Sequence, residues 1–160
     1  MIFTAIFTAL VAFLASSAAA TPLEKRVTVR DGTIASPTDG TVVSPGNSYA
    51  FQYNLINWCQ AGYTSFDVYL LDNEPTAASM NTTQGFTDYV YYYGRYTVDN
   101  FPDGLPPMGT PPPSTLPMLD IGSSYDGQDI WLTVVQTELY CPPDGHTEYM
   151  LASNNMVYSA

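Results

Sequence analysis

Between residues 48 and 55 this chain alternates strictly. Tyr49, Phe51, Tyr53 and Leu55 share one side; Ser48, Ala50, Gln52 and Asn54 share the other. A period of two marks a strand with one face in a core, whereas on a helix the same residues would scatter around the whole circumference. The pattern returns downstream. Phe66, Val68 and Leu70 form the apolar face of another strand, and Ile130, Leu132 and Val134 oppose Trp131, Thr133 and Val135 in one that reads as buried on both sides. Helical periodicity is nearly absent after residue 26, so the chain is confined to sheet architectures.

Turn residues divide the remainder. Thr33–Ser36 reads as a first strand ended by Pro37, and Thr38-Asp39-Gly40 and Ser44-Pro45-Gly46-Asn47 flank a brief pairing at Val42-Val43. Asp72-Asn73-Glu74-Pro75 stops the strand built on Phe66, and residues 76–80 suit a single helical turn. A long strand is expected over Phe86 to Val98. Tyr89, Tyr91, Tyr93 and Arg95 would project from one face, with Phe86, Val90, Tyr92, Tyr96 and Val98 on the other. Gly94 is a candidate bulge that would flip the parity beyond it. Residues 99–127 carry seven prolines in an extended connection. Glu148–Ala152 and Met156–Tyr158 read as a last strand broken by Ser153-Asn154-Asn155. Some six or seven short strands without helices predict an all-β, antiparallel, immunoglobulin-like sandwich.

The first 26 residues bear on location. An apolar run to Leu14 followed by Ala18-Ala19-Ala20 predicts a signal peptide over residues 1–20, too short and too interrupted for a transmembrane span. Residues 21–26 read as a short propeptide ending in a processing site at Lys25-Arg26, leaving a single domain over 27–160. The C-terminus lacks the hydrophobic tail of a lipid-anchor signal. A secreted, extracellular product is expected. There the even pair Cys59 and Cys141 is expected to form a disulfide, which could stabilise the fold by about 4–5 kcal/mol on the chain-entropy account. Loops after the second main strand and the penultimate one lie at the same end of an immunoglobulin-like topology, which suits that bridge. Asn81-Thr82-Thr83 is a glycosylation sequon.

Processing would leave Arg30 and Arg95 as the only basic residues against fourteen acids, a net charge of about −12. Phosphate recognition depends on Lys and Arg, so nucleic acid is a poor partner, and anionic membrane surfaces are disfavoured for the same reason.

Two segments carry a resemblance. Residues 34–46 (IASPTDGTVVSPG) with Tyr49-Ala50-Phe51-Gln52-Tyr53, and the closing residues 151–158 (LASNNMVY), resemble the immunoglobulin-like domains of small fungal secreted and cell-wall proteins. The N-terminal domain of yeast cell-wall β-glucan assembly proteins is similar. The match covers about a third of the chain, and the Ser/Thr-rich stalk common in that group is absent. The resemblance implies a non-catalytic domain and carries no catalytic residues.

Other constellations are sparse. His146 is the single histidine, within Asp144-Gly145-His146, which reads as an exposed turn; no Gly-x-Ser-x-Gly nucleophile elbow accompanies it. One histidine and two cysteines expected to be oxidised leave no zinc or copper ligand set, and no cofactor is expected. Asp99, Asp103, Asp120, Asp126 and Asp129 cluster in or beside the Pro-rich connection, in spacings that match no calcium loop. Fourteen acids could supply the two carboxylates of a hydrolase without the sequence singling out a pair. The Tyr89, Tyr91, Tyr93 and Arg95 row is the best candidate binding surface, because aromatic rows stack on sugar rings and anchor protein partners. The competing arrangement has the 99–127 connection folded over it. The expected function is therefore a secreted, non-catalytic domain that binds polysaccharide or the fungal cell wall through an aromatic face. The alternatives are a secreted interaction or effector protein that binds another protein, and a carboxylate-based hydrolase.

Overall fold

The alternating segments become strands. In a computed structural model the protein is described over residues 32–160, apart from 82, 84, 102 and 103. The leader, the propeptide and Lys25-Arg26 lie outside the described residues, as do Arg30 and Asp103. The strands are β1 (Thr33–Ser36), β2 (Thr41–Val43), β3 (Ser48–Ala50), β4 (Gln52–Asn54), β5 (Tyr63–Leu71), β6 (Tyr91–Asp99), β7 (Thr115–Pro117), β8 (Asp129–Cys141) and β9 (His146–Tyr158). No α-helix occurs among the described residues; the Ala-rich segment makes one 3-10 turn at Ala77–Ser79, capped by Thr76.

Five strands form the main sheet in the order β2-β9-β8-β5-β6. The second layer is built from two ladders, β1 with β4 and β3 with β7. Strands β3 and β4 are one chain run interrupted at Phe51, whose N–H donates to the carbonyl of Ser114 at 2.9 Å. That run joins the two ladders. One buried cluster fills the space between the layers: Ile34, Tyr49, Phe51, Leu116 and Met118 from one side, and Phe66, Val68, Leu70, Leu132, Val134 and Met156 from the other. Each such apolar side chain contributes about 1.5–3 kcal/mol when taken fully from water. The fold is all-β with one disulfide, Cys59–Cys141, and its strand order is compatible with an immunoglobulin-like sandwich.

Three expectations change. Strand β2 pairs with β9 in parallel, so the main sheet is mixed. The turn after Pro37 carries the chain from β1 in one layer to the edge of the other. Strand β9 runs unbroken through Ser153-Asn154-Asn155. Two of those polar residues hold β1 and the turn that follows it. Asn154 Nδ2 donates to the carbonyls of Ile34 and Pro37 at 3.0 and 2.7 Å, and Asn155 Oδ1 accepts from the Gly40 N–H at 3.1 Å. Strand β6 starts at Tyr91, because residues 86–90 form a connection rather than a strand.

Strand β6 carries the bulge that its glycine suggested. Val68 stands opposite Gly94 and Tyr69 opposite Tyr92, so one extra residue, Tyr93, enters β6. Gly94 adopts φ 125°, a region that side chains disfavour. A Cβ there would meet nothing closer than Tyr96 Oη at 4.0 Å, so the cost of a side chain is backbone strain alone. Gly94→Ala is expected to lower the unfolding free energy in urea by about 1–3 kcal/mol. Gly104→Ala, at an exposed site where a Cβ meets nothing closer than the Phe101 carbonyl oxygen at 3.7 Å, should change it by less than about 0.5 kcal/mol. Equal effects would contradict this account of the bulge.

Candidate functional site

Strand β5 separates two chemistries. Its inner residues, Thr64, Phe66, Val68 and Leu70, enter the interlayer space; Asp67, Tyr69 and Leu71 face outward. The segment after β5 folds back over that outer face. Met80 and Phe86 pack with Tyr69, Leu71 and Val135 in a second buried cluster, flanked by the half-buried Trp131, Tyr149 and Leu151. Gly85 permits the close approach, since a Cβ there would lie 2.8 Å from the Tyr69 hydroxyl.

The rim of this cluster is aromatic. Tyr69 lies 5.3 Å from Phe86, 5.7 Å from Tyr89 and 4.9 Å from Tyr92 between ring centroids. Tyr89 and Tyr92 are 6.2 Å apart, with planes inclined by 51°. Tyr69 is 8% exposed and forms a floor; Tyr89 and Tyr92, at 45% and 36%, form open walls. Asp67 adds a polar edge. It accepts from Tyr92 Oη at 2.6 Å and from the Arg95 guanidinium at 3.1 Å. That ion pair is surface-exposed on the Arg95 side and contributes at most about 1 kcal/mol. It orients groups more than it stabilises them. Desolvation and the neighbouring Asp67 push the Tyr69 and Tyr92 phenols up, so both remain neutral.

The expected row is divided. Tyr89 and Arg95 lie at this outer surface, while the bulge turns Tyr91 and Tyr93 to the opposite side of β6. Tyr93 Oη accepts from Tyr49 Oη at 2.8 Å and donates to the Pro117 carbonyl at 3.1 Å. Its pKa rises to about 12, chiefly through burial. Tyr91 packs edge-on against Tyr93 at 5.0 Å. The Pro-rich connection runs along this side and along the free edge of β6, where Thr97 N–H donates to the Thr110 carbonyl at 2.8 Å. It covers Tyr93 and leaves the edge of Tyr91 exposed at 38%, while Tyr89 and Tyr92 are open on the other side. Tyr92 was missed because strict alternation across Gly94 set it with Tyr96; the glycine was the signal that parity changes.

Comparison with family models, with curated proteins and with solved structures finds no match to this chain.

A second cluster lies at the disulfide end. Cys59 and Cys141 are bonded at 2.07 Å. Beside them, Glu138 on β8 pairs across the ladder with Glu148 on β9, at 0% and 3% exposure. Glu138 Oε1 accepts from Thr64 Oγ1 and from Gln136 Nε2, each at 2.9 Å. Glu148 Oε1 meets His146 Nε2 at 2.7 Å, and His146 Nδ1 meets Asp144. His146 is therefore the first residue of β9 in a carboxylate–imidazole–carboxylate chain, not an exposed turn residue. Sequence proximity hid this, because β9 curls the ring onto its own second neighbour.

Among the described residues, Cys59, Cys141 and Glu148 are the group close enough to hold a metal, but both sulfurs are committed to the disulfide. Among the described residues, the acids in and beside the Pro-rich connection form no such group. Asp99 caps the Phe101 N–H, Asp120 the Gly122 N–H and Asp126 the Ala160 N–H. Asn81 Oδ1 likewise closes a turn, accepting from Thr83 N–H and Gly85 N–H at 2.9 and 3.1 Å.

The acidic end has a pH consequence. Burial pushes the Glu138 carboxyl up, with Glu148 adding to the effect. Hydrogen bonds that the protonated ring donates to Glu148 and then to Asp144 raise the His146 imidazole. For both groups the folded state holds its proton more tightly than the unfolded chain does, so stability falls as pH rises through the folded pKa. Asp144 is lowered by His146 and acts oppositely, only at acid pH below its ordinary range. The urea midpoint is expected to decrease from pH 5 to pH 8.5. Glu138→Gln should flatten the part of the slope above the ordinary Glu pKa, and His146→Ala the part above the ordinary His pKa. A midpoint that rises over this range would contradict the assignment.

Proposed function

We propose that the chain is a secreted, non-catalytic domain that binds polysaccharide through the outer aromatic surface of Tyr69, Tyr89 and Tyr92, edged by Asp67 and Arg95. The observation that carries this reading is the pair of open tyrosines standing over a buried tyrosine, with a carboxylate and a guanidinium beside them. Aromatic rings offer apolar faces to the C–H surfaces of sugar rings, and Asp67 and Arg95 offer hydrogen bonds to hydroxyls. The rings are inclined to one another rather than coplanar, with 51° between Tyr89 and Tyr92. Inclined walls suit a single twisted chain, such as a β-1,3-glucan, better than the flat face of crystalline cellulose. The resemblance of residues 34–46 and 49–53 to fungal cell-wall proteins supports the same class of ligand. The signal peptide, the Lys25-Arg26 cleavage and a glycan on Asn81 belong to this reading.

The facing carboxylates Glu138 and Glu148 lend no support to hydrolysis, because both are closed off from a polymer substrate by their burial. A second reading has an observation of its own. Leu139 and Tyr140, at 43% and 78% exposure, project from the β8–β9 hairpin, where a protein partner could take them as anchors.

Co-sedimentation separates these readings. The protein is expected to pellet with insoluble β-1,3-glucan more strongly than with crystalline cellulose. Tyr89→Ala/Tyr92→Ala should weaken that binding at least about tenfold, equivalent to about 1.4 kcal/mol, while Tyr91→Ala and Tyr140→Ser leave it unchanged. Undiminished binding by the folded double variant would refute the aromatic site.

A further inference from the structure

Thr64, Gln136 and Glu138 are each fully buried, at 0% exposure, on the inner faces of β5 and β8. Their side chains supply a hydroxyl, a carboxamide and a carboxylate that meet at one Glu138 oxygen. Thr64 Oγ1 donates to Glu138 Oε1 at 2.9 Å and accepts from Asn100 Nδ2 at 2.9 Å. Gln136 Nε2 donates to the same Glu138 oxygen at 2.9 Å. One carboxylate oxygen therefore touches both the hydroxyl that could attack and the amide nitrogen that could leave. Gln136 Nε2 also donates to the Ile56 carbonyl at 2.6 Å, which fixes the amide plane. The amide oxygen, Gln136 Oε1, accepts from Tyr53 Oη at 2.9 Å and more loosely from the Ile56 N–H at 3.4 Å. Two donors on a carbonyl oxygen polarise it and are placed to receive negative charge as it develops. Burial raises the basicity of Glu138, which suits it to take a proton from an alcohol.

We propose that Thr64 and Gln136 form an intramolecular ester, with Glu138 as the general base that makes it. Glu138 removes the proton from Thr64 Oγ1 as that oxygen adds to Cδ of Gln136. The tetrahedral oxyanion is held by Tyr53 Oη and Ile56 N–H. Glu138 then passes the proton to Nε2, the Cδ–Nε2 bond breaks and ammonia leaves. One Oγ1–Cδ bond forms and one Cδ–Nε2 bond is lost; the threonine proton departs in the ammonia. No oxidation occurs and no co-reactant is needed. The fold holds the two side chains against a common oxygen, which replaces an encounter by a local closure. Exclusion of water protects the ester once formed. The link would tie β5 to β8 at the end of the sheet already closed by Cys59–Cys141, an arrangement that suits a protein exposed to extracellular proteases.

Mass spectrometry of the purified, folded protein tests this. After reduction of the disulfide, a chymotryptic fragment joining the segments around Thr64 and Gln136 is expected, ~17 Da lighter than the sum of its two peptides through loss of ammonia. Thr64→Val and Glu138→Gln should each yield the two peptides unlinked and at full mass. Unlinked, full-mass peptides from the folded wild type would overturn the proposal. So would a loss of ~17 Da that persists in Thr64→Val, since ammonia would then be leaving from another site. If either variant fails to fold, the wild-type linked fragment still decides the question.

Discussion

The structure depends on the register of β5. This strand lies between β6 and β8, and its alternate residues serve opposite surfaces. Phe66, Val68 and Leu70 complete the interlayer core; Asp67 and Tyr69 form the floor and edge of the aromatic surface. A slip by one residue would bury Asp67 and expose Phe66, so the apolar demand of the core fixes the outer surface as well. The aromatic surface is thus positioned by packing on the face that it does not share. The bulge at Gly94 then sets which tyrosines of β6 join that surface.

The two ends of the sheet differ in what holds them. At one end, Asn154 bridges from β9 to the Ile34 carbonyl of β1, and Asn155 ties β9 to the turn that leads into β2, both through neutral hydrogen bonds. At the other end a disulfide, two buried carboxyls, a glutamine and a threonine fill the interior. A carboxylate is costly to bury without a charged partner, and Glu138 has none among the described residues. Its compensation comes from neutral donors, Thr64 and Gln136, and from holding its proton to higher pH. A fold with this interior and an acidic surface favours acidic surroundings. The same donors are the ones that place a nucleophile and an amide on one oxygen.

Much of the architecture was legible in the sequence. The alternation at 48–55, 66–70 and 130–135 marked strands with the correct inner faces, and Pro37 and Asp72–Pro75 marked where strands end, whereas the expected 99–127 connection holds a strand of its own, β7. Cys59 and Cys141 read as a bonded pair and are one. Three features escaped because their causes are tertiary. The parallel pairing of β2 is decided by which layer's edge is free after the turn at Pro37. The polar triplet Ser153-Asn154-Asn155 resembles a break until its cross-layer partners are known. Tyr92 was set on the wrong face because counting in twos passes straight through a bulge, although Gly94 gave the correct warning. The polar cluster was invisible for a further reason. Glu138, Gln136 and Thr64 are ordinary strand residues in sequence, and only the β5–β8 ladder brings them together.

In the proposed function Tyr69, Tyr89 and Tyr92 form the ligand-binding surface while Tyr91 and Tyr93 do not. Tyrosine-ring NMR during titration with a soluble β-1,3-glucan oligosaccharide tests it most directly. Shifts confined to the rings of Tyr69, Tyr89 and Tyr92, with Tyr91 and Tyr93 unmoved, are expected. Shifts centred on Tyr91 and Tyr93, or none at saturating oligosaccharide, would contradict the account.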